Sequence, residues 1–141
     1  MTTTLWLRIA AVLTFIHALL HTIGGVFGKP QMGTALQTFI YMQAHRFAAG
    51  GHMRSYADYY VGFGLAISIF MAAEAVVLWL LASLARDNAP RLRPILWTFA
   101  VAYLALSVNS YLYFFAGPVI AELLIVGCLV AGIRAAKPHT A

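Results

Sequence analysis

Long apolar stretches, separated by short polar connections, make up most of this sequence. Hydrophobic residues account for 62% of its 141 residues and charged residues for only 9%, whereas a soluble domain carries about 25% charged residues. So few charges cannot cover the surface of a soluble domain, and we expect the solvent to be lipid. A membrane span needs about 20 mostly apolar residues, so four spans would use nearly the whole chain.

We therefore predict an all-α fold, an integral membrane four-helix bundle formed by a single domain over residues 1–141. The spans are expected at about residues 5–27, 55–85, 95–115 and 119–135. Between the first two, residues 31–47 carry apolar side chains at helical spacing with polar side chains opposite, which predicts an amphipathic helix in the membrane interface. The sequence Ala48-Ala49-Gly50-Gly51 is expected to end that helix.

Local signals mark the ends of the spans. Ser55 followed by Asp58 fits a capping box at the start of the second span. A polar turn with two prolines is expected at residues 86–94, and Gly117-Pro118 predicts a tight reversal before the last span. The first apolar run is too long for a signal-peptide core and has no small-residue cleavage site after it, so we expect it to be retained.

The distribution of basic residues predicts the orientation. With both termini in the cytoplasm, six basic residues lie on the cytoplasmic side: Arg8, Arg86, Arg91, Arg93, Arg134 and Lys137. Three lie outside: Lys29, Arg46 and Arg54. This asymmetry follows the positive-inside rule. Because membrane topology accounts for the net charge of +5, nucleic acid is not expected as a partner.

Five polar or ionisable residues interrupt the apolar stretches and are the candidate site residues: His17, His21, Glu74, Asn109 and Glu122. Such residues are costly in hydrocarbon and usually face a bundle interior or a functional site. Counted from the span ends, they fall at similar depths on all four spans, so we expect them to share one interior region. The alternative is a purely structural role, in which they form interhelical hydrogen bonds that stabilise the bundle, each worth about 0.6–2 kcal/mol.

Two histidines four residues apart share one helix face and can bind one metal ion. His17 and His21 have this spacing, and Glu122 could supply the third ligand that zinc or iron requires. Haem is a weaker alternative, because two neighbouring histidines on one helix cannot be opposite axial ligands. The single Cys128 excludes cysteine-based metal motifs and is expected to pack in the apolar interior.

The segment from Arg54 to Leu65, together with the histidine-bearing first span and Gly24-Gly25, resembles a family of small four-span bacterial inner-membrane proteins whose activity is uncharacterised. The resemblance lies within residues 14–65. It implies a location in the bacterial inner membrane and implies no activity, cofactor or catalytic residue.

Three functions are compatible with these features. The first is an intramembrane polar pocket that binds a small hydrophobic or lipid-like molecule, or acts on it by acid–base chemistry. The second is a metal- or haem-binding redox subunit. The third is a non-catalytic accessory subunit of a larger membrane complex. Pairing of the bundle into a homo-oligomer is also compatible with the sequence. We favour the first, because an intramembrane polar cluster is costly to maintain without a use.

Overall fold

The computed structural model describes residues 2–136, and Lys137, predicted above to be cytoplasmic, lies outside that range. The chain is mostly helical. Its elements are α1 (Thr3–Leu20), a π-helical segment (His21–Val26), α2 (Gly33–Ala44), strands β1 (Arg46–Ala49) and β2 (His52–Ser55), α3 (Tyr56–Tyr113) and α4 (Ala116–Ala135). Among the described residues, three helices are long and apolar enough to cross a membrane: Thr3–Val26, α3 and α4. The predicted helical class is confirmed, with a short hairpin added to it.

Helix α3 is continuous across most of the connection that was expected to be a turn. Within its 58 residues, the described backbone leaves helical geometry at Asn88 (φ −149°, ψ 50°). Pro90 follows two residues later, in the first turn of the second arm, where proline is tolerated. Pro94 also lies inside that arm, although proline lacks the N–H for a helical hydrogen bond and its ring crowds the preceding turn. The predicted turn over residues 86–94 is thus reduced to a break at Asn88, followed by a second helical arm.

Contacts divide the chain into two compact units, residues 18–70 and residues 2–17 with 71–136. In the second unit, α1, both arms of α3 and α4 contribute to one apolar core. Its fully buried members include Leu7, Leu78, Leu96, Ile125 and Leu129. Cys128 is buried in this core, as expected.

The unit formed by residues 18–70 contains α2, the hairpin and the start of α3. The hairpin pairs Arg46 with Ser55 and Ala49 with His52, and it turns at Gly50 and Gly51. Both glycines have positive φ angles, of 56° and 80°, the geometry of the two-residue turn that matches the twist of paired strands. Helix α2 ends at Ala44, so β1 replaces the last part of the helix predicted over residues 31–47.

The predicted capping box at the start of α3 is confirmed. The Ser55 backbone N–H donates to Asp58 Oδ2 at 2.8 Å, and the Asp58 N–H donates to Ser55 Oγ at 3.2 Å. These reciprocal bonds satisfy backbone donors that a helix start leaves without partners. Because Ser55 is also the last residue of β2, the hairpin leads into α3 without an intervening loop.

Candidate functional site: polar groups of the apolar helices

Glu122 is the most enclosed of the predicted site residues. It lies on α4 with 4% of its surface exposed. Its Oε1 accepts a hydrogen bond from Ser110 Oγ on α3, at 2.9 Å. Its Oε2 is buried and has no hydrogen-bond partner within residues 2–136. A buried carboxyl oxygen without a partner is costly, so the protein holds one oxygen of this side chain while the other has an unmet capacity for a hydrogen bond.

A second set of hydrogen-bonded polar side chains is centred on Tyr103. The Tyr103 hydroxyl donates to Glu74 Oε2 at 3.0 Å and lies 3.1 Å from Thr14 Oγ1. A phenol carries one proton, so when that proton goes to Glu74 the Thr14 hydroxyl is the donor to Tyr103. These hydrogen bonds therefore link α1 to both arms of α3. Thr14 and Tyr103 are buried, and Glu74 is half-buried.

Sequence reasoning missed Tyr103, Ser107 and Ser110, which are all buried. Their spacing of four and three residues puts them on one face of the helix, and this polar stripe in an apolar span was the signal that could have found them.

Asn109 does not belong to this interior set. The structure places its side chain on the exposed surface of α3, and the expectation that it faces the interior is wrong. Successive residues of a helix differ by about 100° in direction, so Ser110 and not Asn109 faces Glu122. The sequence argument considered how deep Asn109 lies along its span but not the side of the helix on which it lies.

His21 is held in the unit formed by residues 18–70. Its Nδ1 lies 3.0 Å from Ser68 Oγ, and Ser68 Oγ donates to the Gly64 carbonyl at 3.0 Å. Since the single serine proton goes to Gly64, we assign the His21 Nδ1–H as the donor to Ser68. His21 begins the π-helical segment, a feature often found at functional sites.

His17 is half-buried on α1, in the unit that also contains Glu74 and Glu122. Within residues 2–136, no three histidine, cysteine or acidic side chains are grouped so that they could hold a metal ion. The metal site considered for His17, His21 and Glu122 therefore gains no support from geometry.

Gly64 allows a close approach between α3 and the π-helical segment. A Cβ at this position would lie 2.7 Å from Val26 Cγ2, whereas a Cβ at Gly62 would meet no atom within 4 Å. Close packing thus depends on Gly64 and not on Gly62. It places the end of the π-helical segment against α3, beside the Ser68 hydroxyl that orients His21.

Comparisons with family models, curated proteins and solved structures find no match for this chain.

Proposed function

We propose that the protein is a four-span integral membrane protein of the bacterial inner membrane, with both termini in the cytoplasm. At a rise of about 1.5 Å per residue, a straight α3 would be about 87 Å long, nearly three times the hydrocarbon thickness of about 30 Å. A break at Asn88 lets its two arms cross separately. Only 28–33% of the apolar windows of the three long helices is buried, so most of their apolar surface needs a non-aqueous solvent.

We further propose that the buried carboxyl groups bind a small hydrophobic or lipid-like molecule with a hydrogen-bonding head group. The observation that carries this proposal is Glu122 Oε2, a buried oxygen that has no partner among the residues that the structure describes. A carboxylate oxygen accepts a hydrogen bond and a carboxylic acid donates one, so a hydroxyl group suits either state. Ser110 fixes the other oxygen, which makes Glu122 the group we assign to proton exchange with the bound molecule.

The experiment is native mass spectrometry of the full chain in a mild detergent. We expect the wild type to retain a co-purified small molecule, or to bind added monoolein, whose hydroxyl groups can donate and accept. Glu122→Gln should reduce that binding about tenfold, because a hydrogen bond to a charged or acidic group is lost. Leu123→Ala is the control, since it changes the adjacent residue of α4, whose side chain is exposed. Binding that is absent from the wild type, or equal in both variants, would contradict the proposal.

A second proposal rests on Asn109, an amide on the exposed surface of an apolar helix. A polar side chain facing lipid is unfavourable, and interhelical hydrogen bonds between amides stabilise association in membranes. We propose that Asn109 pairs with a second copy of the chain. Disulfide crosslinking of Asn109→Cys in a Cys128→Ala background should give dimers, and Asn109→Leu should shift the wild-type dimer to monomer. Crosslinking no stronger than that of Leu104→Cys, which is also exposed but lies on another face of α3, would refute it.

A further inference from the structure

A shallow apolar groove runs along α1 and the first arm of α3, within the unit formed by residues 2–17 and 71–136. Its volume is about 260 Å³, and its lining is entirely apolar: Ala11, Val12, Phe15, Ala75, Val76 and Trp79. On each helix these residues recur at spacings of three and four, so they form one face. Such a groove has the shape and polarity to accept part of an acyl chain.

A cation lies at the Trp79 end of this groove. The Arg8 guanidinium carbon is 5.0 Å from the centre of the Trp79 ring, in a cation–π contact. Arg8 lies one helical turn before Ala11, on the same face of α1. Its Nε is buried and has no hydrogen-bond partner among the described residues. The groove thus ends at a charged group with at least one N–H donor unsatisfied by the described residues.

The chemistry of Arg8 favours a phosphate. A guanidinium presents its N–H groups as a planar fork that matches phosphate oxygens. Arg8 lies about 8 Å from the start of α1, a depth from which long basic side chains reach the head-group region. Arg86 is exposed two turns beyond Trp79 on the same face of α3 and adds a second positive charge at that end.

We propose that this groove is a binding site for an anionic phospholipid, with one acyl chain against Ala11, Phe15 and Val76 and the phosphate on Arg8. Trp79 contributes to both parts, because it lines the groove and holds the guanidinium. The site does not involve Glu122, so it is independent of the ligand proposed for the buried carboxyl groups.

The test is native mass spectrometry of the full chain with phosphatidylglycerol and phosphatidylcholine of identical acyl chains. We expect tighter binding of phosphatidylglycerol, and Arg8→Gln should reduce its affinity about tenfold and abolish the preference between the two lipids. Arg134→Gln removes a basic residue on α4 and should leave the preference unchanged.

Two further variants test the groove itself. Val76→Phe enlarges an exposed lining residue, 59% exposed, and should weaken binding of both lipids. Val77→Phe makes the same change next to it, at a 41% exposed position outside the lining, and should have no effect. The proposal is overturned if Arg8→Gln keeps the preference, if Arg134→Gln loses it equally, if both phenylalanine variants behave alike, or if glycerol phosphate binds as tightly as the whole lipid.

Discussion

At the scale of single residues, the Tyr103 hydroxyl connects three helical segments through one oxygen atom. Tyr103→Phe keeps the ring but removes the bonds to Thr14 and Glu74. Each interhelical bond in a membrane protein contributes about 0.6–2 kcal/mol, so we expect the variant to lose about 1–3 kcal/mol of unfolding free energy. Denaturation in mixed detergent micelles measures the loss. The control is Tyr111→Phe, at a 78% exposed position, and an equal loss there would contradict the prediction.

Gly64 and Gly62 provide a second residue-scale prediction. Gly64→Ala should destabilise the protein by about 1–3 kcal/mol, because its Cβ would lie 2.7 Å from Val26 Cγ2. Gly62→Ala should be neutral or slightly stabilising, since alanine favours the helix and meets no neighbour. Thermal unfolding followed by circular dichroism distinguishes the two. Adding Val26→Ala to Gly64→Ala should recover part of the loss, and failure to do so would mean that steric overlap is not the cause.

The comparison of Asn109 with Ser110 shows what residue types alone can establish about a site. Glu74 and Glu122 were predicted as interior groups because charge is expensive in lipid, and the structure places Glu122 in a buried hydrogen bond. Asn109 was placed by the same reasoning, but a neutral amide costs less to expose than a carboxylate. The polar helix face formed by Tyr103, Ser107 and Ser110 was a better indicator of which residues of α3 lie in the interior.

At the scale of elements, the hairpin depends on its two glycines. Gly50→Val forces a β-branched residue into a positive φ angle of 56°, which is strained for any residue except glycine and, to a lesser degree, asparagine. We expect faster tryptic cleavage after Arg46 and Arg54, one on each strand, with no change after Arg91, which lies on α3 away from the hairpin. Gly50→Asn should keep the wild-type rate. Equal cleavage in both variants would show that the turn geometry does not control the hairpin.

The sequence predicted that a helix ends near Gly50-Gly51 but did not predict the strands on either side. With four residues each, β1 and β2 are too short for an alternating pattern to be recognised. The capping box was predictable because Ser55 and Asp58 act locally and do not depend on tertiary packing. The π-helical segment carried no comparable local signal, because its packing against Gly64 is a contact between residues distant in sequence.

At the scale of the whole molecule, composition was sufficient to predict apolar helices of membrane-spanning length. A chain with few charges and long apolar runs is expected in lipid, where a helix satisfies the backbone polar groups internally. It did not predict that the connection at residues 86–94 is helical except at Asn88. Short-range rules treat prolines as helix ends, whereas Pro90 in the first turn of a new helical arm is compatible with helix on both sides of the break.

The number of crossings follows from which side of the membrane the break at Asn88 occupies. If each arm of α3 crosses the bilayer, residues near Asn88 lie on the same side as the N-terminus, and the hairpin lies opposite. Single cysteines at Thr2, Arg91 and His52, introduced into a Cys128→Ala background, test this with a membrane-impermeant maleimide. Thr2 and Arg91 should label only from the cytoplasmic side, as the excess of basic residues there requires, and His52 only from outside. Labelling of Arg91 and His52 from the same side would mean that the first arm of α3 does not cross the membrane, and the four-span topology would be wrong.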